Sequence, residues 1–163
     1  MILDTFKVEI SEPPLMAMDY IIGTNCFGIK YEVGLSLGYH HIVWVSGPWK
    51  GAASDPTITK TSGIKNHLLE GESIMADKIY KGDKEVFLCP FSGHRYSLDD
   101  SMKEHNFEVY SARQSVEHVI RRLRNCKVMK KKWTHQSIAL HTLCFQVLSK
   151  LVNLCLMFEP LDK

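Results

Sequence analysis

The sequence predicts an α/β fold with a mixed central sheet flanked by helices. Three observations carry this. Apolar and polar residues alternate from Ile2 to Ser11, the period of a strand with one buried face. Short apolar runs bounded by glycine, proline and polar residues follow at intervals through the first ninety positions. The last third is helical, with Val116, Ile120 and Leu123 recurring at steps of four and three and a long apolar run after Ser137.

Taken in order, the first strand, Ile2 to Ser11, is closed by Glu12-Pro13-Pro14. Ile29 to Leu37 is the second strand. Gly38-Tyr39-His40 marks a turn into a third, His41 to Val45, so these two form a hairpin ended by Gly47-Pro48. Asp55-Pro56 opens a short helix, with Asp55 near its N-cap, and Gly63 stops it. Ser73 to Ala76 is a buried strand ending at Asp77, and Val86 to Cys89 is another before Pro90. Asp99 to Asn106 is polar and is compatible with either helix or loop. A long basic helix then runs from about Phe107 to Asn125. Trp133-Thr134 offers an N-cap for the last helix, which ends before Pro160. No internal repeat or long linker divides the chain, so residues 1–163 are expected to form one domain.

Composition narrows the function classes. With 45% hydrophobic and 23% charged residues, the chain is globular rather than disordered. The run Ile138 to Phe158 carries His141, Gln146, Lys150 and Asn153, and is expected to be a buried amphipathic helix rather than a membrane span. No secretory leader is expected, since the start has neither a basic region nor an apolar one. Five cysteines without a C-x-x-C pair suit a reducing compartment. The eight histidines show no H-E-x-x-H and no zinc spacing.

A net charge of +2 says little about partners, but its distribution says more. Arg113, Arg121, Arg122, Arg124, Lys127, Lys130, Lys131 and Lys132 lie within twenty residues that hold one acid, Glu117. Such a stripe suits a phosphate backbone, although basic runs are also ordinary solvated faces. On a helix, residues 113, 117, 121 and 124 share one side, which frames Glu117 with guanidinium groups. A carboxylate so placed can ligand a metal while its neighbours hold phosphate oxygens. The same spacing also makes plain surface ion pairs.

The wider sequence contains Asp4 in ILDTFKVEI, Asp55 in WVSGPWKGAASD, Asp77 in IMADKIY and Glu117 in RQSVEHV. In order and approximate spacing these motifs resemble the nuclease domain of Harbinger-type transposases, the DDE superfamily endonucleases. Tyr110, Arg113, Glu117 and Arg124 also match the tyrosine-arginine-glutamate-arginine spacing of related bacterial transposases. The resemblance covers about Ile2 to Leu161. It implies an RNase H-like fold, a compartment that is nuclear if the source is eukaryotic, and double-stranded DNA as partner. The order of elements fits that fold without selecting it from other α/β folds.

The resemblance further implies a two-metal phosphodiester reaction, with Asp4, Asp77 and Glu117 as catalytic ligands and Asp55 as a fourth. Hard cations such as Mg²⁺ or Mn²⁺ take oxygen donors, so Asp and Glu are the required types. Two ions would activate the attacking oxygen and stabilise the leaving one. Two like charges at ~4 Å repel by ~4 kcal/mol at an effective dielectric of 20, so clustered acids favour a cation or shared protons. Lys78, Arg113, Arg121, Arg124 and Lys127 would touch the DNA backbone. Trp44 and Trp49 read as packing residues, and His118 as a structural neighbour of Glu117.

Three departures support an alternative, a catalytically inactive DNA- or protein-binding module derived from such a nuclease. The glycine after the first acid is Thr5, and the glycine expected at Ile79 is lost, where a β-branched residue resists positive φ. The family's basic loop is replaced by Tyr20 to Cys26. Family members usually carry a helix-turn-helix region before the nuclease domain. Its absence from this sequence leads to the expectation of a fragment, or of a separate DNA-binding partner protein.

Overall fold

The computed structural model describes residues 1–23, 26–80, 85–93 and 97–161. Five strands form one mixed sheet. β1 (Ile2–Ile10), β2 (Phe27–Leu35) and β3 (Ile42–Lys50) make an antiparallel meander, and the two-residue strands β4 (Ile74–Met75) and β5 (Phe87–Leu88) extend it in parallel beyond β1. The order is β3-β2-β1-β4-β5, the arrangement of an RNase H-like sheet. Helix α1 (Asp55–Ser62) lies on one face. Helices α2 (Asp100–Asn125) and α4 (Ile138–Phe158), joined through the single turn α3 (Lys127–Lys130), cover the other.

Strand alternation sorts the side chains between the two faces. Ile2, Phe6, Val8 and Ile10 of β1 join Ile29, Tyr31, Val33 and Leu35 of β2 under α2 and α4, where they meet Val116, Leu123, Phe145 and Val152. Tyr31 stacks on Phe145 with ring centroids 4.0 Å apart. On the opposite face Leu3, Ile64, Ile74, Ala76, Tyr80 and Phe87 form a smaller cluster. Both faces of the central strands are therefore covered, so β2 is buried along almost its whole length.

Several boundaries differ from those expected, for local reasons. β3 continues through Gly47-Pro48 to Lys50, and its register against β2 shifts between Lys30 and Glu32. Ser54, not Asp55, caps α1, accepting the Thr57 amide, and Gly63 at φ 79 ends the helix. The polar stretch after Asp99 is helical, because the Asp99 carboxylate accepts the Met102 amide and starts α2 there. Likewise Ser137 caps α4 by accepting the Leu140 amide, three residues beyond Thr134. Thr24 and Asn25, in the segment replacing the family's basic loop, lie outside the described residues.

The last helix departs further from expectation. His141, Phe145, Ser149, Val152 and Leu156 pack inward, yet the side turned away from the sheet is also apolar and is exposed. By length and composition alone α4 would suffice to cross a membrane. Among the described residues none of the five cysteines is in a disulfide.

Candidate active site

Register sets the first two acids at corresponding positions of neighbouring strands. Ile2 pairs with Met75 in the parallel ladder, and both Asp4 and Asp77 stand two residues beyond that pair. Ile2 and Met75 belong to the core under α2, so alternation turns Asp4 and Asp77 toward α2 as well. There Arg113 meets them. Its Nη1 lies 3.7 Å from Asp77 Oδ1, while its charge also acts on Asp4. The Arg113 side chain is mostly covered, and its Nε finds no acceptor among the described residues. Glu117, one turn further along α2, is exposed and close enough for its charge to act on Asp4.

Asp4 is the acid most altered by this setting. Its carboxyl is held above the usual aspartate range, first by burial. The Thr5 amide, donating to Oδ1 at 2.7 Å, and the Arg113 charge oppose that rise; the charges of Asp55 and Glu117 add to it. Asp77 accepts the Lys78 amide at 2.6 Å, and the chain then leaves in a 3-10 turn over Lys78–Tyr80.

Asp55 approaches from the other face of the sheet. Its Oδ1 accepts Lys30 Nζ at 2.9 Å and its Oδ2 accepts the Thr5 hydroxyl at 3.1 Å. Lys30 is buried and also donates to the Ala53 carbonyl at 2.7 Å. Beside it Glu32, fully buried, accepts Trp44 Nε1 at 2.8 Å and the Thr59 hydroxyl. Sequence reasoning missed this Lys30-Glu32-Asp55 network. The available signal was a lysine and a glutamate alternating with Ile29, Tyr31 and Val33 in a strand whose two faces are both covered.

Both lost glycines are accommodated. Thr5 uses its side chain to tie β1 to Asp55. Ile79 sits in the 3-10 turn and is not among the residues of positive φ, so no left-handed strain arises there. Tyr80 is buried beside Phe87, with ring centroids 5.1 Å apart, while Lys78 next to it is exposed. Of the basic residues singled out on α2 and just beyond, Arg121 and Lys127 are exposed, and the Arg124 guanidinium lies 5.5 Å from the centre of the Phe6 ring. His118 is exposed beside Glu117. Trp44 packs against the smaller apolar cluster, as a packing residue does.

The sequence model of the DDE superfamily endonucleases matches residues 3–156. The chain belongs to the DDE superfamily endonucleases. The matched span takes in β1 with Asp4, the turn after β4 with Asp77 and helix α2 with Glu117, so the fold and the family agree over nearly the whole domain. No curated protein and no solved structure matches the chain.

A divalent cation is the group this family implies, and the donors can be tested for it. Asp4, Asp77 and Glu117 are hard oxygen donors on the α2 side, and the Asp4 carboxyl is raised first by burial and only after that by the charges of Asp55 and Glu117. Asp55 already has both oxygens engaged. Among the described residues no three acidic, histidine or cysteine side chains stand close enough to hold one ion as they are placed. The residue types fit a divalent cation.

Proposed function

We propose that this DDE superfamily endonuclease is a Harbinger-type transposase nuclease domain that cleaves double-stranded DNA with Mg²⁺ or Mn²⁺. The observation supporting the proposal is Arg113 on α2, whose Nη1 lies 3.7 Å from Asp77 Oδ1 and whose charge, like that of Glu117, acts on Asp4. Asp4, Asp77 and Glu117 would hold the metal, with Asp55 joining as a fourth ligand only on release from Lys30. The bound cations would supply a nucleophile at neutral pH and charge stabilisation for the leaving oxygen. Burial of Asp4 on a rigid strand fixes the first carboxylate, and the Thr5 amide orients it. Arg113 neutralises the acids before the cation arrives and would then turn to a phosphate oxygen. Lys78, Arg121, Arg124 and Lys127 would hold the backbone through charge and position it without reading sequence.

The rival reading, a binding module without catalysis, is favoured by two observations: Lys30 occupies Asp55, and no ready three-donor set exists among the described residues. Incubating the chain with duplex DNA, with Mg²⁺, with Mn²⁺ and with chelator, decides between them. Cleavage that requires a metal and is lost in Asp77→Asn is expected. DNA binding with no cleavage under any of these conditions supports the module.

A further inference from the structure

We infer that the outer face of α4 is the contact between two copies of this chain. Leu140, Leu143, Val147, Leu151, Leu154 and Phe158 recur at steps of three and four over the whole helix, and each is between 42% and 79% exposed. That is the spacing of a helix seam, and it repeats on the side opposite His141, Phe145 and Val152, which already hold α4 to the sheet.

Exposure and charge favour a second copy as the occupant. With Met157 the stripe leaves seven large apolar side chains between 42% and 79% exposed along one helix face, a contiguous patch of the kind that marks a protein interface rather than an ordinary monomer surface. A two-fold pairing covers it with itself, residue for residue, and needs no foreign surface. Between Ile138 and Phe158 the only lysine, arginine or acid is Lys150. One lysine offers little to a polyanion such as DNA; Lys150 is exposed at the border of the stripe, where a pairing leaves it at the solvated rim, whereas a bilayer would have to bury it near mid-helix.

The neighbouring sheet edge points to helix pairing rather than strand pairing. β3 is the outer strand, and an exposed edge can add a strand from another chain. At Ile42 both backbone groups are taken by the Asn153 side chain: the amide donates to Oδ1 at 2.7 Å and the carbonyl accepts Nδ2 at 2.9 Å. The start of that edge is plugged from α4, while the helix face beside it remains uncovered.

Sedimentation velocity on the full 163-residue chain at about 20–50 μM tests the inference, a specific interface being expected to form in the micromolar range or tighter. The expected species is a dimer, twice the 18.7 kDa chain mass. Val147→Glu and Leu151→Glu should each give a monomer with unchanged far-ultraviolet dichroism. The milder Leu154→Ser should raise the dissociation constant at least about tenfold, equivalent to about 1.4 kcal/mol. Leu69→Glu, at a still more exposed leucine before β4, should remain dimeric. A monomeric parent overturns the inference. So does a dimer that survives all three α4 substitutions, or co-sedimentation of the parent with neutral phosphatidylcholine vesicles.

Discussion

Asp4 carries a carboxyl that burial holds above its ordinary range, and this has a definite sign in stability. The native state keeps the Asp4 proton more tightly than the unfolded chain does. The window opens at the ordinary value of about 3.9 and closes at the raised native one. Stability from this group is fully present below the window and is lost as pH rises through it. Asp4→Asn keeps the Oδ1 acceptor for the Thr5 amide and removes the charge. Without metal, at pH 7, it should melt higher than the parent, by about 2–4 °C for each kcal/mol recovered in a chain of this size. The difference should close as pH falls toward about 3, below the ordinary aspartate pKa. Mn²⁺ should reverse the order, since a ligand bound only by the native parent stabilises it. Thermal melting across pH with chelator and with Mn²⁺ checks both. A parent more stable than Asp4→Asn at neutral pH in chelator would contradict this account of Asp4.

At the scale of elements, the Lys30-Asp55 pair joins β2 to the start of α1 across the sheet. Both side chains are largely covered, at 9% and 18% exposed, so Lys30→Met would leave a carboxylate in place without its cation. Breaking one side of a buried pair costs about 3–5 kcal/mol, and this pair should fall at the lower end because Thr5 still donates to Asp55. Urea unfolding measures it; a loss below about 0.5 kcal/mol would place the pair with ordinary surface bridges. This network also marks the limit of the sequence. Strand existence was legible from alternation at Ile2–Ile10, and helix α2 from Val116, Ile120 and Leu123, because those periods follow directly from one-sided burial. The acids were legible through their ordered motifs. Lys30 and Glu32 were not, since a charged residue in a strand ordinarily signals a solvated face, and here α1 covers it. The start of α4 was misplaced because Thr134 and Ser137 are both competent caps, and only the path of the chain across Ile10 and Trp133 selects Ser137. Its outer face was misread for a related reason: apolar periodicity does not say which of two stripes meets the sheet.

For the whole molecule, the charges of α2 and the lysines beyond it set how DNA is held. If about 4 phosphates are neutralised, log K should fall with log salt at a slope of about −3.6, with little dependence on DNA sequence. Arg124→Ala should flatten the slope by about 1, the share of one contact. Fluorescence anisotropy over a salt series reads both, and a tight complex insensitive to salt would mean that the basic stripe is only a solvated face. The central claim, that the acids beside Arg113 form a metal-dependent nuclease site, rests on Glu117. Glu117→Gln keeps the shape and leaves Val116 and Ile120 packed as they are, but replaces an anionic ligand with a neutral amide that binds a hard cation poorly. The direct measurement is single-turnover cleavage of duplex DNA in Mn²⁺ by the parent and Glu117→Gln, with metal-free melting of both alongside. The prediction is a rate loss of at least about 100-fold, two steps of 1.36 kcal/mol in the barrier, with a melting temperature equal to or slightly above that of the parent. Cleavage by Glu117→Gln at the parent rate, or a parent that cleaves nothing in Mn²⁺, would contradict it.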